Sequence, residues 1–385
     1  MIRIDGDKLA GLAASLVKIP SQNPPGEEAE INEFLLQKME RLGFKVSQYS
    51  LRSEATYLVG VLDLGEGSSI IFDGHVDTVP AERVEDWIVD PFSGEVIDGR
   101  LYGRGAADMK ASIAAWLTAV EAVLNSEAEL KGKIMTFLVS DEETYCNGTR
   151  DILSEGRYYA DMAVVGEPTE LNIGVAHKGV MRWRLITYGR AAHSSSPEMG
   201  VNAIYKMARA ITAIQEYSKR LGDRRHRLLG YPTVSVGTIR GGEKDNVVPD
   251  LCEASIERRL IPGEQPGMVE EELTGLLDDI RMDDPEFKYK LERYSTILPS
   301  EIEENSEVVK VMIKAVEEGI GRHPRIIGFN ATCEMVHLVE RGIPTVIFGA
   351  GSLNQAHKVN EHVDLKEVTD ASRAYAHFII EVLSR

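Results

Sequence analysis

Cysteine is scarce in this chain of 385 residues: Cys146, Cys252 and Cys333 are the full set. An odd number with no CxxC pair excludes a disulfide framework and a thiolate metal site, and suits free thiols in a reducing compartment. Basic residues are also few, 43 Lys and Arg against 61 Asp and Glu, for a net charge of -18. Nucleic acid and anionic membrane surfaces repel such a protein, so neither is expected as a partner. No apolar run approaches the roughly 18 residues needed to span a bilayer. The start, Met1 to Asp5, lacks the basic residues and apolar core of a secretory signal, and a cytoplasmic location is expected. A Gly-x-Ser-x-Gly elbow is missing too, which removes the commonest serine-hydrolase arrangement. What is present is ordinary for a soluble globular protein, with 43% hydrophobic residues and length enough for two cores.

The first part of the chain alternates short, continuous apolar runs with helical periodicity. Residues 70–72, 134–139 and 162–165 read as strands buried on both faces, and 345–348 returns that character near the end. Between the first two, Ile113, Leu117, Val120 and Leu124 recur at helical spacing. This order predicts an α/β domain: a mixed, mostly parallel sheet with helices on both faces. The middle differs. Strands over 175–188, 233–239, 251–260 and 287–294, with helices over 200–221 and 266–280, give the order β-α-β-β-α-β of a ferredoxin-like α+β domain. We therefore expect residues 1–175 and 295–385 to form one domain and 176–294 to be inserted in it.

Chemistry concentrates in five separated places: His75-Val76-Asp77, Asp108, Glu142-Glu143, Glu167 and His357. Each has a plain structural explanation taken alone. Asp108 could cap the helix that follows, Glu142-Glu143 could be solvated charge, and His357 a loop residue. Those explanations leave unaccounted why successive apolar strands deliver such residues at the same end, the carboxyl edge where open α/β sheets bind ligands. Carboxylates mixed with imidazoles suit zinc, cobalt or manganese. Five ligands and a spare glutamate exceed one tetrahedral ion and match two ions sharing a carboxylate, with a base left over for water.

The runs Asp73-Gly74-His75-Val76-Asp77, Gly103-Arg104-Gly105-Ala106-Ala107-Asp108-Met109-Lys110, Ser140-Asp141-Glu142-Glu143, Gly166-Glu167-Pro168-Thr169 and Asn354-Gln355-Ala356-His357 resemble the dinuclear zinc aminoacylase and carboxypeptidase family. That family includes acetylornithine deacetylases and succinyl-diaminopimelate desuccinylases, and the likeness runs from about Ile19 to the end. The resemblance implies two divalent ions, zinc first and cobalt or manganese as alternatives. His75 and Glu167 would hold one, Glu143 and His357 the other, and Asp108 would bridge. It makes Asp77 the group that orients His75, and Glu142 the general base. Gly189-Arg190-Ala191-Ala192-His193 is similar to the family's lid motif, which implies a lid and dimerisation role for 176–294. His193 would then reach the site of a partner subunit in a homodimer and stabilise the oxyanion. Asn246 and Arg258 match the groups that bind a substrate carboxylate. Arg259 competes, because strand alternation puts only one of the pair on the site face.

One departure bears on substrate. Asn330-Ala331-Thr332-Cys333-Glu334 replaces the usual threonine-aspartate pair, and Glu334 would face a cationic side chain or be a solvated loop charge. With the Asn-Gln-Ala-His run it leans towards acetylornithine deacetylation of a small N-acyl amino acid. A desuccinylase or a dipeptidase or carboxypeptidase of the same family is the alternative. A Rossmann dehydrogenase fails because Asp108 stands where the third glycine of Gly103-x-Gly105 would be, and it would repel a pyrophosphate. A metal-binding protein without catalysis would have no use for the spare Glu142.

Overall fold

The computed structural model describes residues 2–50 and 56–384; residues 1, 51–55 and 385, which fall inside the expected spans 1–175 and 295–385, lie outside it. Two compact units emerge. One runs through Val175 and resumes over Ile302–Phe329 and from Cys333 onward; the other comprises Ala176–Glu301 with Asn330–Thr332.

The first unit is built on a mixed sheet. In spatial order seven of its strands are Lys45–Ser50, Thr56–Asp63, Lys133–Val139, Ser69–His75, Met162–Val165, Thr345–Ile347 and Ile173–His177, and the short strands Ile326–Phe329 and Ser300–Glu301 pair with the last of these. The four strands from Lys133–Val139 to Thr345–Ile347 are parallel to one another. The flanking pairs are antiparallel. Parallel strands need helical crossovers and burial on both faces, which is why Ile70, Ile71, Phe72, Val164 and Val346 are wholly inaccessible. Phe72 stacks on Trp116 of the helix Ala111–Leu124, with ring centroids 5.9 Å apart. It also meets the edge of Tyr375 of the helix Leu365–Leu383 at 5.4 Å, and the Tyr375 hydroxyl donates to the Phe348 carbonyl. The helical stripe expected from Ile113 to Leu124 is buried at its first three positions, while Leu124 emerges at the helix end.

Parallel register has a functional consequence. His75 ends its strand, Glu142 and Glu143 follow Val139, and Glu167 follows Val165, so all four come off the same edge. Glycines draw a further segment beneath them. A Cβ on Gly74 would lie 2.2 Å from Met109 Cε and 2.8 Å from Trp116, and one on Gly166 would lie 2.5 Å from Trp116 and 2.6 Å from Met109 Cε. Only glycine at both positions lets Met109, and with it Asp108, approach the strand ends this closely.

The second unit has the order strand Gly179–Tyr188, helix Ala203–Arg220, strands Thr233–Gly241 and Leu251–Leu260, helix Pro266–Asp283, strand Lys288–Ile297. Its sheet places the second of these strands next to the third, then the first, then the fourth, all antiparallel. This is the ferredoxin-like arrangement. Asn202 starts the first helix by accepting the amides of Ile204 and Tyr205. Two details differ from the sequence reading. The run 175–188 is two strands broken at Lys178, one in each unit's sheet. The return to the first unit falls after Glu301 and not at 295, because Ser295–Ile297 continue the pairing with Val180–Arg182.

Candidate metal centre

His75 Nε2 lies 3.0 Å from Asp108 Oδ1 and 3.6 Å from Glu167 Oε1. On the other side of the same carboxylate, His357 Nε2 lies 3.5 Å from Asp108 Oδ2 and 3.0 Å from Glu143 Oε2. Two triads therefore exist, His75–Asp108–Glu167 and Asp108–Glu143–His357, each with its ligand atoms within 4.8 Å of one another. They share Asp108, one oxygen to each. Asp108 does not cap the following helix, which has Lys110 at its N-cap position and no side-chain cap.

The electrostatics fit cations. Burial pushes Glu167 and Glu142 well above the usual carboxylate range; Asp108 raises Glu167 further, and Glu334 and Glu143 raise Glu142. Burial also opposes charge on Asp108, yet hydrogen bonds to His357 and His75 hold it below its ordinary value. The imidazoles respond in the opposite sense. Burial disfavours their protonation, but Asp108 with Asp77 raises His75, and Asp108 with Glu143 raises His357 to about 10. Oxygen and imidazole donors in this number suit divalent ions of the zinc, cobalt and manganese kind.

Asp77 acts more broadly than its expected role. His75 Nδ1 is nearer the Asp77 backbone carbonyl, at 2.9 Å, than its carboxylate, at 3.5 Å. The carboxylate accepts the amides of Glu142 and Glu143, each at 3.3 Å, and the Asn23 side-chain amide at 3.1 Å. It orients the histidine and also ties down the turn that carries both glutamates. The sequence reading missed Asn23, and its one signal is Asn23-Pro24-Pro25 in a Gly-ended loop.

Glu334 is not a solvated charge. It is 1% exposed, with neither carboxylate oxygen hydrogen-bonded among the described residues. It groups instead with Glu142 and Glu167, and burial pushes it up to about 7.

The remaining named residues belong to the second unit. His193 is exposed, and its Nδ1 is taken by the Ser195 hydroxyl at 2.8 Å and the Ser195 amide at 3.1 Å. Exposed Asn246 is beside it, its carbonyl accepting the Ser194 amide at 3.0 Å. Arg258 needs correcting. In Leu251–Leu260 the even positions are buried with Met207, Leu273 and Leu277 of the helices, and Arg258 shares that face. Its guanidinium, 1% exposed, is paired with Glu264 at 2.5 Å. Arg259 occupies the opposite face, half-buried, beside Glu257 at 2.8 Å and Thr332 at 3.3 Å. Alternation with a period of two decides the pair for Arg259 as the arginine outside the core. Cys146, Cys252 and Cys333 are buried free thiols, and no helix among the described residues is long and apolar enough to cross a membrane.

Comparison with known proteins agrees with this geometry. An acetylornithine deacetylase from Myxococcus xanthus is 30% identical over 390 residues, covering 97% of this chain and 98% of that protein. An M20 family metallo-carboxypeptidase from Sulfolobus solfataricus shares the fold with a TM-score of 0.84 at 22% identity, covering 97% of this chain and 99% of its own. Human carnosine dipeptidase 1 does so with a TM-score of 0.81 at 18% identity, over 98% and 96%. The profile of peptidase family M20/M25/M40 matches residues 71–381, a span that takes in His75, Asp108, Glu143, Glu167 and His357. Two triads on one shared carboxylate at the sheet edge, the long profile match and the end-to-end relative converge: this chain is a metallohydrolase of the peptidase family M20/M25/M40.

Proposed function

We propose that this enzyme hydrolyses the amide bond of an N-acyl amino acid, with N-acetylornithine as its substrate. One observation carries the reaction type: a carboxylate shared by two ligand triads with a separate glutamate, Glu142, beside it. The acetylornithine deacetylase relative supports the acyl group and amino acid.

His75 and Glu167 would hold one divalent ion, Glu143 and His357 the other, with Asp108 common to both. Bound there, two zinc ions would acidify a water and polarise the acyl carbonyl. Glu142 receives the proton as the water oxygen bonds to the carbonyl carbon. It then passes that proton to the nitrogen as the carbon–nitrogen bond breaks, releasing the acid and the free amine. Raised by burial, Glu142 is well suited to holding a proton between these two steps. Asp77 keeps the Glu142 turn and His75 in register throughout.

The second unit serves as the lid and the dimer contact in this reading. His193, with no partner for Nε2 among the described residues, donates to the oxyanion in a partner subunit. Asn246 and Arg259 hold the substrate carboxylate, Arg259 replacing Arg258 because the latter is committed to Glu264. Glu334 meets the positive end of the substrate side chain; a buried carboxylate with two free oxygens calls for a cation. The enzyme works in the cytoplasm, consistent with its three buried free thiols.

A substrate panel tests this reading. N-acetylornithine should turn over at least tenfold better, in kcat/KM, than N-succinyl-diaminopimelate or dipeptides with added zinc, cobalt or manganese. Preference for the succinyl compound or a dipeptide would move the assignment to the desuccinylase or peptidase branch.

A further inference from the structure

Glu361 stands four residues beyond His357 and is 1% exposed, although the hydrolysis described above makes no use of it. One of its carboxylate oxygens accepts the backbone amides of Ala107, at 3.0 Å, and Asp108, at 3.2 Å. The other accepts Arg104 Nη1 at 2.6 Å, and the Glu361 carbonyl accepts the Gly103 amide at 2.9 Å. Arg104 is itself 3% exposed and lies over the Trp87 ring, 5.4 Å from its centroid. Its guanidinium extends the connection. Nη1 also reaches the Lys358 carbonyl and Nη2 the Pro80 carbonyl, both at 3.4 Å.

These bonds join three stretches of chain that each carry groups of the metal centre. Pro80 follows His75 and Asp77, Gly103 to Asp108 form the turn bearing the shared carboxylate, and Lys358 adjoins His357. His357 and Asn360 have φ of +63° and +61°, a conformation that non-glycine residues keep only when the surroundings enforce it. The turn and the loop have no strand pairing at Asp108 or His357, whereas His75 ends a strand of the parallel sheet. An antiparallel pairing of His362–Asp364 with Arg100–Tyr102 brings the two segments together at their bases, but it stops short of Asp108 and His357, and the Glu361–Arg104 bonds bridge the stretch beyond it.

We propose that Glu361 and Arg104 form a latch that fixes Asp108 and His357 relative to each other, and so sets the affinity of the ion held by Glu143 and His357. Both are positioning residues: neither touches the reacting atoms. The inference rests on reading Asp108 and His357 as ligands. It predicts an asymmetry: both ions share Asp108, but the ion held by Glu143 and His357 depends on two residues the latch positions, whereas His75 and Glu167 come directly off strands of the parallel sheet.

Zinc titration of the metal-free enzyme by calorimetry, with thermal melting alongside, tests it. Glu361→Gln keeps the shape and breaks the ion pair. The double variant Arg104→Met, Glu361→Leu replaces the pair with apolar side chains, an exchange often neutral for a buried ion pair itself, although here the Ala107 and Asp108 amides also lose their acceptor. In both, one of two zinc sites should weaken about 10- to 100-fold, the usual scale for losing a group that orients a ligand, while the other stays within a few-fold. The metal-free double variant should still melt in one cooperative transition, somewhat below wild type because those two amides are left unpaired. Wild-type affinity at both sites, or equal weakening at both in step with the melting temperature, would overturn the latch. If the wild-type chain takes up only one ion, the two-ion reading falls first, and the latch with it.

Discussion

The two units treat their polar residues in opposite ways. In the first, five ligand candidates and Glu142 come from strand ends and two loops, and buried hydrogen bonds brace them within a few ångströms of one another. In the second, His193 and Asn246 are exposed, His193 bonded to Ser195 and Ser196 and Asn246 to Ser194. The first unit has assembled its constellation within one chain. The second leaves His193 and Asn246 exposed, which is what the lid role proposed for it requires. The metal-ligand candidates, Glu142 and buried Glu334 thus all belong to the first unit, whereas His193, Asn246 and Arg259 belong to the second.

This contrast can be broken at several points. The largest effect should come from Glu142→Ala. Removing the proton carrier should cut kcat by at least about 100-fold, the low end for a general base. Metal content should stay at two ions per chain; loss of an ion would make Glu142 a ligand and erase the distinction between ligands and base. Next comes His193→Ala, with a loss of about 100- to 1,000-fold in kcat on the scale of one oxyanion donor and no change in metal content. Mixing His193→Ala with Glu142→Ala chains should restore part of the activity if the lid serves a partner's site. No recovery, with dimers verified by light scattering, would return His193 to its own chain.

Smaller and more selective is Glu334→Gln. Its kcat/KM should fall about tenfold for N-acetylornithine and hardly at all for an N-acetyl amino acid with an apolar side chain. An equal fall for both would place Glu334 with the metal centre rather than with substrate choice. The smallest effect is one of linkage. In the metal-free fold His75 is raised and His357 is raised to about 10, so protons on these imidazoles compete with an incoming ion. Apparent zinc affinity should therefore fall as pH drops and rise towards pH 10. Calorimetry in buffers of different ionisation enthalpy should register proton release on loading, and no release would contradict the raised imidazoles.

Much of this was legible in the sequence because it depended on period and order. Apolar runs of strand length gave the parallel centre, and the residues after them marked its carboxyl edge. What escaped was decided by three-dimensional packing. Which of Arg258 and Arg259 faces outward depends on register against the helices, and Glu264, six residues on, supplies the partner that commits Arg258 to the inner face. For Glu334 the sequence left two readings open, a partner for a cationic side chain or a solvated loop charge, because the burial that removes the second is imposed by segments distant in sequence, near Glu142 and Glu167. Asn23 and Glu361 act through backbone amides and a carboxylate 54 and more than 250 residues away, which no local pattern announces. The strand over 288–297 ran past its expected end because pairing with Val180–Arg182, not apolar content, sets where it stops.

The central claim is that Asp108 is shared by two ions. Anomalous diffraction at the zinc edge from zinc-loaded crystals measures this directly. Two peaks per chain should flank the Asp108 carboxylate, about 3.5–4 Å apart, one nearest His75 and Glu167 and the other nearest Glu143 and His357. A single peak, or a second peak away from Asp108, would contradict the shared carboxylate and the mechanism built on it.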